Sequence, residues 1–261
     1  MMKLSSFVLL AALFAQSSDA RLLGRGGNFF KMFGKNKKGN RQGGGGNGGG
    51  GNGAGGNGAG GNGAGNRGGG FGGRGGGGGY GGNCVIDKSL VGDLGDSATA
   101  ELKFMREEEK MARDVYLTLL TEYGTSTTPV FRNIANSEQK HMDNMLAMID
   151  LYDIEDPVKS DSMGVFTDET LGQMYTDLTT QGKLTLVDAL LVGALIEETD
   201  IVDLREAIDI TGEETLACVY NNLLKASYNH LNAFVRAVRA QGGTYTPTLL
   251  DEKDAASILG E

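Results

Sequence analysis

The chain has 261 residues with 24 basic and 33 acidic side chains, a formal charge of −9 that conceals two opposite segments. Residues 21–82 carry nine Lys or Arg and no acid, whereas residues 83–261 carry 14 basic against 32 acidic residues, a net charge of about −18. That balance disfavours nucleic acid as a partner of the acidic part, and no segment beyond the N-terminus is apolar for long enough to span a membrane.

Residues 1–20 (MMKLSSFVLLAALFAQSSDA) place Lys3 ahead of an apolar run from Phe7 to Ala15 and close on the small-x-small end Ser18-Asp19-Ala20. This pattern predicts a secretory signal peptide. The alternative, an N-terminal membrane anchor, meets the objection that the run is short for a permanent span. The expected location is therefore secreted or cell-wall, with no membrane span after cleavage.

Residues 21–82 hold 33 of the 44 glycines, and Gly51-Asn52-Gly53-Ala54-Gly55 repeats three times up to Gly65. A segment so poor in apolar side chains cannot offset its ordering entropy, and it is expected to be disordered. Arg67 and Arg74, with Phe71 and Tyr80, resemble an Arg-Gly-Gly box for single-stranded RNA, which export argues against. Lys31, Lys35, Lys37, Lys38 and Arg41 suit an anionic wall or mineral surface. A flexible spacer without a partner is the other reading.

From residue 83 to 250 the pattern is helical, with residues 251–261 left as a C-terminal tail. The first helix is expected from about Ser97 to Tyr123, with Met105, Ala112, Tyr116 and Leu119 on one stripe and Gly124 at its end. The second runs from about Val130 to Tyr152. Its heptad seam is Phe131, Ile134, Glu138, His141, Met145, Met148 and Tyr152. A loop marked by Pro157 and Gly164 leads to a short helix from Asp168 to about Thr180. The third long helix begins near Thr185 and ends before Gly212, with Val187, Leu190, Ala194, Glu197, Ile201, Leu204 and Ile208 inward. The fourth spans about Glu213 to Ala240, with Tyr220, Leu223, Ser227, His230 and Phe234 inward. No strand-like alternation competes, so the fold class is all-α. A long connection between the second and third long helices fits a single-crossover bundle.

Two cysteines occur, Cys84 and Cys218. In an oxidising compartment they can pair and tie the start of the domain to the fourth helix; the alternative is two unrelated thiols.

Each long helix sets a potential metal ligand on its apolar seam. The first offers Glu109 with Glu108 beside it, the second Glu138 and His141, the third Glu197 with Glu198 and Asp200 nearby, and the fourth His230. Buried carboxylates and imidazoles are costly unless compensated, and in helix bundles the compensation is often a metal held by Glu-x-x-His and further glutamates. This set suits iron, one or two ions, or manganese or zinc. A buried Glu–His hydrogen-bond network is the competing reading. Glu108, Glu198 and Asp200 are expected on a solvated face or behind the ligands, and one or two of Glu107–Glu109 at the helix surface.

The stretches MREEEKMARDVY (105–116), FRNIANSEQKHMD (131–143), VGALIEETDIVDL (192–204) and YNNLLKASYNHLNAF (220–234) resemble a ferritin-like family catalogued as a domain of unknown function. The resemblance extends over about residues 98–250, including Tyr245-x-Pro247. It implies a four-helix bundle related to rubrerythrins and bacterioferritins, with Glu109, Glu138, His141, Glu197 and His230 as metal ligands. It implies no particular substrate. From the helix patterns, Glu108, Tyr116, Asp200 and Ser227 are expected behind those ligands, Tyr116 as a redox or hydrogen-bonding partner. The fourth helix departs from the wider pattern: Ser227-Tyr-Asn-His230 stands where a second Glu-x-x-His is expected. Five ligands with three negative charges then under-neutralise two divalent cations unless Glu108 or Asp200 contributes. The expected function is a secreted iron-handling protein or metal-dependent oxidase, the alternative a non-catalytic wall protein anchored by its glycine-rich segment.

Overall fold

The computed structural model describes Cys84, Lys88, residues 91–124 and residues 128–261. The expected signal peptide (1–20) and glycine-rich segment (21–82) lie outside the described residues. Among the described residues there are six α-helices and no strand: α1 (Asp96–Tyr123), α2 (Pro129–Leu151), α3 (Glu169–Gly182), α4 (Leu186–Thr211), α5 (Glu214–Ala240) and α6 (Glu252–Leu259). The fold is all-α.

The helix ends follow local chemistry. α1 stops at Gly124, whose φ of 80° is open to a residue without Cβ. Pro129 opens α2, where a missing N–H costs nothing. Asp168 caps α3 by accepting from the N–H groups of Thr170 and Leu171. Thr185 caps α4, accepting from Asp188 N at 3.1 Å while its hydroxyl donates to the Asp188 carboxylate at 2.6 Å. Residues 251–261, read from sequence as a tail, contain α6, capped by Asp251.

α1 packs along α2 and α4 along α5; α1 also lies against α4 and α2 against α5, so each long helix touches two of the others. The expected seams meet in the interior, where Met105, Leu119, Phe131, Met145, Leu190, Ile201, Leu223 and Phe234 are buried. Tyr116, Phe131 and Phe234 form an aromatic cluster with ring centroids 5.1–6.2 Å apart. A disulfide joins Cys84 to Cys218 on α5. No described helix is long and apolar enough to cross a membrane.

The charged face of α1 is not a solvated surface. Glu107, Glu108 and Glu109 are all buried, contrary to the expectation that one or two would face water. The reason is the connection between α2 and α4, which folds back over α1 and needs partners for its backbone. Glu107 accepts from the N–H groups of Thr167 and Asp168 at 2.6 and 3.0 Å. Lys110 donates to Asp114 at 2.6 Å and to the Ser162 carbonyl at 2.9 Å, and Asp114 also accepts from Gly164 N–H at 3.0 Å. Arg113 reaches Asp114 and Asp161, and Arg106 reaches Asp156 and the Met142 carbonyl. One helix therefore holds the crossover with one set of charges and faces the interior with another.

Candidate metal centre

Four helices bring Glu109, Glu138, His141, Glu197 and His230 to one place, all buried. Glu138 is the hub. Its Oε2 lies 2.8 Å from His141 Nδ1, and its Oε1 lies 3.0 Å from His230 Nδ1, without the alignment of a hydrogen bond on the His230 side. Glu109 Oε2 lies 3.2 Å from His141 Nδ1, and Glu197 Oε2 lies 3.3 Å from His230 Nδ1. The two imidazole rings stack with centroids 5.5 Å apart. Two triads result, Glu109–Glu138–His141 and Glu138–Glu197–His230, each with ligand atoms within 4.8 Å of one another.

Local structure explains the placement. Glu138 and His141 are three apart on α2, so both side chains leave the same face. Glu109 and Tyr116 are two turns apart on α1. The Tyr116 hydroxyl donates to Glu197 Oε1 at 2.6 Å, fixing that carboxylate against the aromatic cluster. The Ser227 hydroxyl donates to Asp200 Oδ2 and to the Leu223 carbonyl at 3.0 Å.

Burial alone would raise every carboxyl here and lower both imidazoles. Between Glu138 and the histidines, mutual attraction reverses that trend. Glu138 is held below the usual carboxylate range, His141 is raised above the usual imidazole value, and His230 is raised to about 10. The outer acids follow burial instead. Glu109 is pushed up to about 7 against the pull of His141, Glu197 is raised, and Asp200 is raised by burial and by Glu109 and Glu197. Without a cation, the cluster lowers its charge by keeping protons on imidazole and on the outer carboxyls.

The donor set passes a structural test for a cation. Glu109 Oε1, Asp200 Oδ1 and both oxygens of Glu108 are buried with no hydrogen-bond partner. A cavity of about 10 Å³ lies among Glu108, Glu109, Ala112, Glu138, Ile196, Glu197 and Asp200. Carboxylate with imidazole is the ligand chemistry of iron, manganese and zinc, and a carboxylate shared by two triads suits a bridged pair.

Three acids expected on a solvated face or behind the ligands are all buried. Glu198 leaves the centre altogether: it accepts from the Tyr245 hydroxyl and from the N–H groups of Thr248, Leu249 and Leu250 at 2.7–3.1 Å, anchoring the chain after α5. Glu108 and Asp200 instead line the cavity. Sequence reading missed Glu107, Lys110, Arg113 and Asp114 as crossover anchors. The available signal was their density on a helix that also carries an apolar stripe.

These features define an all-helical protein with a buried carboxylate–histidine centre. The model of the uncharacterized protein domain family DUF2202 matches residues 99–261, and the chain belongs to that family. It is similar to uncharacterized protein MJ0754 of Methanocaldococcus jannaschii, 46% identical over 155 residues that span 59% of this chain and 82% of the relative. The crystal structure of hypothetical protein MJ0754 from Methanococcus jannaschii DSM 2661 matches with a TM-score of 0.63 and 42% identity, covering 65% of this chain and 95% of that one.

Proposed function

We propose that this chain is a ferritin-like four-helix bundle that binds iron, with manganese or zinc as lesser candidates, and acts in iron handling or as a metal-dependent oxidase. The observation that carries the reading is Glu138, one carboxylate shared between two buried carboxylate–histidine triads. Glu109 and His141 would hold one cation, Glu197 and His230 the other, with Glu138 between them. Iron bound there would supply one-electron chemistry toward an oxidant such as oxygen or peroxide.

The chain's own residues have separable tasks. Glu138 is shared by both triads, and the imidazoles would give up their protons when a cation binds. Tyr116 orients Glu197. The Tyr116–Phe131–Phe234 cluster keeps water from one side of the centre. Export is the companion proposal: the N-terminal pattern calls for it, and the Cys84–Cys218 disulfide supports an oxidising compartment. In this reading the cationic glycine-rich segment contacts an anionic wall or mineral surface.

Elemental analysis of purified protein, before and after anaerobic Fe²⁺ addition, tests the reading. One or two tightly held ions, lost in His141→Ala, support it; a folded protein that takes up no ion rejects it. The second reading, a non-catalytic wall protein, draws on the same contacts. His141 hydrogen-bonds to Glu109 and both imidazoles lie 2.8–3.3 Å from carboxylates, so the centre can persist as a charge-paired network without a cation.

A further inference from the structure

Some buried acids among the described residues have partners for both oxygens. Glu107 accepts from two backbone N–H groups, and Glu198 from three backbone N–H groups and the Tyr245 hydroxyl. Glu108 and Asp200 do not fit that explanation. Glu108 is 2% exposed, and neither of its oxygens has a hydrogen-bond partner. Asp200 is 6% exposed; Ser227 holds its Oδ2, while its Oδ1 is unpartnered. Both side chains line the same cavity as Glu109, Glu138 and Glu197. A buried carboxylate oxygen without a donor is expensive, and a cation in that cavity removes the expense for both.

We propose that Glu108 and Asp200 are additional metal ligands, which complete an asymmetric five-carboxylate, two-histidine site for two divalent cations. The proposal rests on the metal-binding reading above and deepens it. On α5, Ser227 stands three residues before His230, where a carboxylate would otherwise point inward with it. The Ser227 hydroxyl instead holds Asp200, a carboxylate supplied by α4 one turn beyond Glu197. The site thereby regains from the third long helix the charge it lacks on the fourth. Glu108, next to Glu109 on α1, adds another. Three carboxylates leave two divalent cations under-neutralised, and five bring the ligand charge to −5 against +4. The added donors are all oxygen and all on the cavity side, which favours a hard ion at that position.

The test is Mn²⁺ binding to the intact chain, read by equilibrium dialysis with metal analysis and by the Mn²⁺ electron paramagnetic resonance signal. The wild-type protein is expected to bind two ions. Glu108→Gln and Asp200→Asn are each expected to weaken the second ion tenfold or more, and the double variant to retain one. Ser227→Ala, which leaves every charge in place, should weaken it several-fold, so the inference is still tested should a charge-removing variant fold poorly. Two ions bound with unchanged affinity in all of these variants would overturn the proposal. Should His141→Ala abolish binding while these variants do not alter it, this inference falls and the parent reading stands. No ion in the wild-type protein removes both.

Discussion

Glu138 Oε2 lies 2.8 Å from His141 Nδ1, one helical turn along α2, and the same carboxylate reaches His230 across the interior. Glu138→Ala therefore strips two buried imidazoles of a shared partner. Removing one side of a buried pair costs about 3–5 kcal/mol. The metal-free variant is expected to lose about 3 kcal/mol in urea unfolding and, when iron is supplied, to bind neither ion. A loss well under about 1 kcal/mol would place it among ordinary surface changes and would mean that Glu138 is not the hub.

The pH dependence of the metal-free protein has a definite sign. Burial and the neighbouring Asp203 and Glu206 raise Glu101 to about 7, and burial raises Glu109 to about 7, both from 4.5. A group that binds its proton more tightly when folded stabilises fully below its unfolded value and loses that contribution as pH rises through the folded one. These two contributions are thus lost between about pH 4.5 and 7, and that of His230 between its ordinary 6.5 and about 10. Glu138 has the opposite sign: its contribution is present above 4.5 and is lost as pH falls. The urea midpoint of chelator-treated protein should be highest near pH 5 and decline through pH 10. Bound cations would displace the protons of Glu109 and His230 and should flatten that part of the decline, leaving the Glu101 contribution in place. A midpoint that climbs from pH 5 to 8 without metal would contradict the assignment.

How much of this was legible in the sequence follows from periodicity. Heptad spacing placed Glu138, His141, Glu197, Ser227 and His230 on apolar faces because burial on a helix repeats every three to four residues, and all five are buried. Gly124 and Thr185 marked helix ends by local chemistry that needs no tertiary context. Glu107 and Glu198 were illegible for the complementary reason. Their partners are backbone N–H groups of the crossover for Glu107, and the Tyr245 hydroxyl with three backbone N–H groups after α5 for Glu198, 47–61 residues away. Nothing in a local pattern distinguishes such an acid from a solvated one. α6 was missed because an eight-residue helix gives two turns of signal and leans on α5 for its existence.

Asp114 carries the crossover. It accepts from Lys110, Arg113 and Gly164 N–H, and its side chain is 1% exposed. Asp114→Ala leaves a fully buried ammonium group without its carboxylate, and the expected loss is about 3–5 kcal/mol. Because the damage is confined to the connection, hydrogen exchange should rise first at residues 156–168, with the α4–α5 pair still protected. Uniform exchange across all helices would show that the crossover is not an independent unit of opening.

The Cys84–Cys218 bond closes a sequence separation of 134 residues. Constraining so long a loop restricts the unfolded chain, and the typical stabilisation is about 2–4 kcal/mol. Cys218→Ser should lower the urea midpoint accordingly and leave metal binding intact, since Cys218 lies outside the cluster. Equal midpoints in oxidised and reduced protein would remove the disulfide from the list of stabilising features.

Gly193 on α4 packs directly against the ring of Phe234 on α5: a Cβ there would sit 2.4 Å from Phe234 Cε1 and 2.6 Å from two further ring carbons. The ring has little room to retreat, because Tyr116 and Phe131 flank it at 5.1 and 5.6 Å. Gly193→Ala gains up to about 1 kcal/mol of helix propensity, but overpacking a dense core costs about 1–3 kcal/mol, and the fixed ring puts this site at the upper end. A net loss of about 1–2 kcal/mol is expected. The displaced Phe234 would push on Tyr116 and so on Glu197, so metal affinity should fall together with stability. Phe234→Leu in the same chain relieves the clash, and the pair should be less destabilised than the sum of the single changes. Additive effects in that cycle would show that α4 and α5 can move apart at Gly193, and that the close approach does not hold the metal centre in place.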